Sequence, residues 1–118
     1  MAKYERHLHG DFDSLLQTLD SEILGRSISA SFQGGSDFTM GNVRCAVRVY
    51  ERYSLIGSNR LGANITLLGS GEDLFLSVIS SGGSQAVFFK INTWGESAFT
   101  ENIANIVEQW ERPVYTIK

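Results

Sequence analysis

Val43-Arg-Cys-Ala-Val-Arg-Val-Tyr-Glu-Arg-Tyr53 alternates between two rows of side chains over its whole length, the pattern of a strand with two different faces. Val43, Cys45, Val47 and Val49 form one row; Arg44, Arg48, Tyr50 and Arg52 form the other. The apolar row is expected to face the core and the arginine row to be exposed. Further along, Leu61, Ala63, Ile65 and Leu67 repeat the alternation, followed by Leu74, Leu76 and Val78. Gly57-Ser-Asn59 and Gly69-Ser-Gly71 separate these runs, and short glycine-bearing links between alternating segments predict hairpins. The result is an antiparallel meander on which Asn64 and Thr66, then Phe75, Ser77 and Ile79, continue the arginine face.

Upstream, Ile28, Ala30 and Phe32 alternate with serines in a further strand, and Gly34-Gly-Ser-Asp37 is expected to turn the chain. Before it, Phe12, Leu15, Leu16, Leu19 and Ile23 recur at helical spacing, with Asp11 or Asp13 placed to cap the first turn and Gly25 placed to stop the last. Lys3 to His9 alternates as a short edge strand. Downstream, Ser80-Ser-Gly-Gly-Ser84 interrupts the apolar run, and Gln85 to Ile91 fits either a strand or an extended approach to a helix. Thr93-Trp-Gly-Glu96 has the form of a capping box, Ala98, Phe99, Ile103, Ile106, Val107 and Trp110 form a helical stripe, and Pro113 ends it. The order is β-α-β-β-β-β-α, an α+β fold in which a curved antiparallel sheet carries two helices on one face. The same element order occurs in helix-grip and TATA-binding-protein-like folds.

The chain has 118 residues, 42% of them hydrophobic and 19% charged, enough for one core and one domain over residues 1–118. Intrinsic disorder is excluded by that balance. A net charge of −3 provides no global field to attract nucleic acid or an anionic membrane. Cys45 is the only cysteine, so neither an intramolecular disulfide nor a cysteine-built zinc site can form. With no apolar run of signal-peptide length after Met1, a cytoplasmic protein is expected. The uncharged run Leu74 to Phe89 is broken by Gly82-Gly83 and falls short of the ~20 apolar residues a membrane span needs.

Gly25-Arg-Ser-Ile-Ser-Ala-Ser31, Gly41 to Tyr53, Ser58-Asn-Arg60, Ser81-Gly-Gly-Ser84 and Trp94-Gly-Glu96 resemble the landmarks of a small family of uncharacterised single-domain proteins from Firmicutes bacteria. The resemblance spans nearly the whole chain. It implies a one-domain bacterial protein and supplies no catalytic residues, because the family has no assigned activity.

Four local patterns invite a chemical role. His7, His9 and Asp11 would share one side of a strand continuing through Gly10, but Gly10 breaks the strand and Asp11 is wanted as a cap, so no metal site is expected. Cys45 keeps phase with the valines and reads as a buried small hydrophobe rather than a nucleophile. Gly82-Gly83-Ser84 lacks the lysine and spacing of a phosphate loop. The fourth pattern is the most informative. Arg44, Arg48, Tyr50, Arg52 and Phe75 would put arginines and aromatics on one sheet face, suited to packing against a second copy or to binding an anion or nucleic-acid backbone. Separately, Ser81, Ser84, Phe88, Trp94 and Phe99 could line a pocket for a small apolar ligand between sheet and last helix.

The sequence therefore points to a non-catalytic binding or self-association module, a homodimer without cofactor, metal or membrane span. Carriage of a small apolar ligand is the first alternative, and anion or nucleic-acid binding by the arginine face the second, with nucleic acid disfavoured by the net charge. No arrangement of nucleophile, base and orienting acid is recognisable.

Overall fold

The computed structural model describes residues 2–53, 59–82 and 96–112. Among the described residues, five strands and two helices follow the expected order: β1 (Ala2–His9), α1 (Phe12–Arg26), β2 (Ser31–Met40), β3 (Val43–Tyr53), β4 (Arg60–Ser70), β5 (Asp73–Gly82) and α2 (Glu96–Glu111). The strands form one antiparallel sheet in the order β1-β5-β4-β3-β2. β1 pairs with β5, so among the described strands β1 and β2 are the outermost.

Both helices lie on one face. Asp11 caps α1, its side chain accepting a hydrogen bond from the Ser14 N–H at 2.8 Å. Phe12, Leu15, Leu19 and Ile23 then face the sheet, and Phe99, Ile103, Ile106 and Val107 do the same from α2. Beneath them lie Leu61, Ala63, Ile65 and Leu67 of β4, and Leu74, Leu76 and Val78 of β5. The helices cross this core and thin out toward the β2 edge. A buried hydrogen bond from Thr100 Oγ1 to Ser80 Oγ, 2.8 Å, joins α2 to β5, so each hydroxyl has a partner in the dry interior.

Four expectations about element ends need correction. The strand expected through Ile28 and Ala30 begins only at Ser31, with Ile28 in a turn. Gly34-Gly-Ser-Asp37 does not turn the chain; it lies inside β2, and the hairpin closes at Gly41-Asn42 between Met40 and Val43. Gly41 has φ 61, which a two-residue hairpin with glycine at its first position requires. Likewise β4 runs through Gly69 and Ser70, and the next hairpin turns at Gly71-Glu72, with Gly71 at φ 60. Gly25 stays helical, and α1 stops at Ser27 in an extended conformation.

The largest correction concerns β3. Arg44 opposes Gly69, Ala46 opposes Leu67, Arg48 opposes Ile65, Tyr50 opposes Ala63 and Arg52 opposes Leu61. Residues directly opposite in a ladder point to the same face, so the arginine row lies on the helix side. Val43, Cys45, Val47 and Val49 lie on the other side, which no described element covers. Cys45 is therefore half-buried on the open face rather than part of the core. The Gly57-Ser58 link, Gln85 to Ile91, Thr93 to Gly95 and the chain after 112 lie outside the described residues.

Candidate functional site

On the helix side of β3, the side chains are set by what α1 offers. The core-facing stripe of α1 is Phe12, Leu15, Leu19 and Ile23, and its flank toward β2 carries Asp13, Leu16, Gln17 and Asp20. Ala46 is the one small apolar residue in the β3 row and is buried. Around it, the polar residues find partners. Arg44 places its guanidinium 4.1 Å from the centre of the Phe12 ring and grips Asp13 with two hydrogen bonds, 3.0 and 3.2 Å. Its hydrogen bond is the main reason the Asp13 carboxyl titrates below its ordinary range. Arg48 reaches along the face to Asp37 of β2 with bonds of 3.0 and 3.2 Å. Its side chain crosses directly over Gly35, where an added Cβ would come within 2.9 Å of Arg48 Cδ and 2.8 Å of the Val47 carbonyl oxygen. That crossing accounts for a glycine at position 35 inside the strand.

Tyr50 is 1% exposed, and its hydroxyl donates to Asp20 Oδ1 at 2.7 Å. Burial, and then this hydrogen bond, push the phenol well above its usual titration range. Phe32 packs edge-on against the same ring, 5.7 Å between centroids. Arg48, Phe32, Asp13, Leu16, Gln17, Asp20 and Leu24 line an open groove of about 600 Å³ between α1 and β2.

Arg52 departs from the pattern. It lies half-buried beneath Phe99 of α2, 4.5 Å from the ring centre, and its Nε has no hydrogen-bond partner. Desolvation lowers its pKa from the ordinary guanidinium value.

The open face is built differently. Reading across the sheet, Phe38, Cys45, Leu68, Phe75 and His7 oppose one another in a single row. Met40 and Val43 lie beside its β2 end; Val47, Val49 and Ile79 follow in the next rows, with Ser36, Thr66, Ser77 and Asn64 between them. Phe38 is 59% exposed, Met40 68%, Val43 41%, and Leu68 and Ile79 38% each. Charge is confined to the margins. On the β1 edge are Lys3, Glu5 and His9, and at the far end Glu51 pairs with Arg60 at 2.6 Å. His7 rests against Phe75 with centroids 5.1 Å apart.

The five residues expected to share an interaction face are thus divided. Arg44, Arg48, Tyr50 and Arg52 are together on the helix side, and Phe75 alone faces outward. The sequence reading missed Phe38 and Met40, whose signal was their spacing once β2 is extended to Met40, missed Leu68, and assigned Val43 to the core face. Of the expected pocket, Phe99 is core at 2% exposure and Ser81 is exposed near the end of β5. Ser84, Phe88 and Trp94 lie outside the described residues. His9 contacts Glu72 at 3.0 Å and Asp73 at 3.6 Å, while Asp11 is spent on the cap of α1, so the His7, His9 and Asp11 triad is not assembled. Among the described residues, no helix is long and apolar enough to cross a membrane.

Among the described residues, a five-stranded antiparallel sheet is backed on one face by two helices and leaves an apolar face uncovered, a two-layer α+β arrangement. No curated protein matches the chain. Residues 1–111 match the model of DUF6054, a family of unknown function, and the chain belongs to that family.

Proposed function

We propose that this protein is a non-catalytic self-association module whose interface is the open face of its sheet. The observation that carries the reading is the exposure of Phe38, Met40, Val43 and Leu68 side by side on one surface whose charges lie at its margins. Monomers seldom leave so contiguous an apolar patch in water. At ~4.8 Å between strands and ~3.3 Å per residue, five strands of this length offer roughly 800 Å², the area one partner buries in a standard stable interface. A second copy supplies the same apolar centre and polar margin, as a two-fold interface requires. Binding of nucleic acid by the arginine row has less support, since Arg44 and Arg48 face α1 and each holds a carboxylate.

Sedimentation velocity tests the proposal. The wild-type protein at ~50 µM is expected to sediment at twice the 13.1 kDa chain mass, and Phe38→Asp or Leu68→Asp at the chain mass. Both side chains are solvent-facing in the isolated chain, so the variants should keep their circular dichroism. A wild-type monomer at that concentration, or folded variants that remain dimeric, would overturn it.

A further inference from the structure

We infer that Arg52 is the anchor of a binding site for a small oxyanion-bearing molecule, at the end of the helix layer where α1 stops and α2 begins. β3 presents three arginines to the helix side, and two show how the strand uses them. Arg44 closes a two-nitrogen fork on the Asp13 carboxylate, and Arg48 gives Nη2 to both oxygens of Asp37. Arg52 is more buried than Arg44, yet pairs with no carboxylate among the described residues, and its buried Nε has no acceptor. Phe99 covers its guanidinium at 4.5 Å. A guanidinium presents five N–H donors in a fixed fork that matches two oxygens of a phosphate or carboxylate. Of that fork only Nε is shut off from water, and the two Nη groups, which donate to nothing among the described residues, are the donors an oxyanion arriving from solvent can take.

A cavity of about 690 Å³ opens at this position, lined by Ser27, Ile28, Ser29, Arg52, Tyr53 and Asn102 among others. That volume is in the range of small-molecule sites. Its polar groups are already ordered. Ser29 Oγ accepts from the Tyr53 N–H at 3.1 Å and lies 3.4 Å from Ser27 Oγ. Arg26 donates to Glu22 at 2.9 Å and to Gln109 at 2.8 Å, so among the described residues lining the cavity Arg52 is the cation that makes no such bond. The hydroxyls, the Asn102 amide and the exposed Ile28 side chain would meet the body of a ligand whose phosphate or carboxylate sits on Arg52.

Thermal denaturation in inorganic phosphate, against chloride at matched ionic strength, tests the site. In the wild type a saturable rise in Tm is expected, about 5 °C when phosphate is ten times its Kd. Arg52→Gln should abolish the saturable rise. Asn102→Asp, an exposed helix substitution, supplies an internal carboxylate at the cavity wall and should also abolish it while keeping the fold; it decides alone if Arg52→Gln does not fold. A saturable rise retained in Asn102→Asp or in folded Arg52→Gln, or no saturable rise in the wild type, overturns the inference.

Discussion

Tyr50 shows how one side chain ties the two layers together. Its ring fills the space above β3 beside Phe32, and its hydroxyl is bonded to Asp20 on α1. An unfolded tyrosine ionises near pH 10, whereas burial and Asp20 hold the native phenol protonated well above that. A raised native pKa means that this contribution is complete below pH 10 and lost as pH climbs past it, because only the unfolded state releases the proton. Urea unfolding between pH 8 and 11.5 should therefore show stability falling above pH 10, by no more than about 1.4 kcal/mol per pH unit from this group. Tyr50→Phe should flatten that fall at a cost of about 1 kcal/mol near neutrality, the usual worth of one hydrogen bond. Equal alkaline slopes in both proteins would count against the assignment. Tyr50 was legible as a strand residue, but its direction was not. A turn centred on Ser58 opposes odd-numbered residues of β3 to odd-numbered ones of β4 and sends the valines inward. The actual ladder sets Tyr53 against Arg60 and Val49 against Asn64, three residues from that register, and any odd shift exchanges the two faces of the whole strand.

Among the elements, β2 was the hardest to read and the hairpin β4-β5 the easiest. Leu61 to Leu67 and Leu74 to Val78 have an unbroken period of two because both strands lie under the helices, where each inward position must be apolar. β2 is an edge beyond the helices' reach, exposed along nearly its whole length, so burial imposes no alternation. What shapes it is local: a shift in register between Phe32 and Gly34, and room for Arg48 over Gly35. α1 and α2 were legible for the opposite reason, since each buries a complete stripe. The packing of α1 on the sheet supplies a prediction at this scale. The Phe12 ring sits directly over Gly69, where an added Cβ would lie 2.5 Å from Phe12 Cδ2, with Leu74 Cδ2 at 3.2 Å. Gly69→Ala must displace a buried ring at the start of α1 and should cost about 1–3 kcal/mol. Gly62→Ala, with no atom within 4 Å of its added Cβ, is the control on the same strand and should shift the urea midpoint far less.

For the molecule as a whole, the two sides of the sheet make opposite predictions for association. Reversing Arg44 and Arg48 to glutamate breaks the pairs with Asp13 and Asp37 on the helix side, so it should weaken folding and leave the mass of the folded protein unchanged. The open face carries its own reporter. Cys45 is the chain's single thiol and stands between Phe38 and Leu68 in the row that crosses the proposed interface. In an isolated chain it is only half-covered, so a small alkylating reagent reaches it from the open side. A second copy lying across Phe38 and Leu68 closes that approach. The alkylation rate at fixed reagent should therefore fall as protein concentration passes through the dimer Kd, following the fraction of free chain. Leu68→Asp should keep the fast rate at every concentration. A rate independent of concentration in a wild type that is dimeric by sedimentation would place the interface elsewhere, leaving the open face as the surface for a different partner.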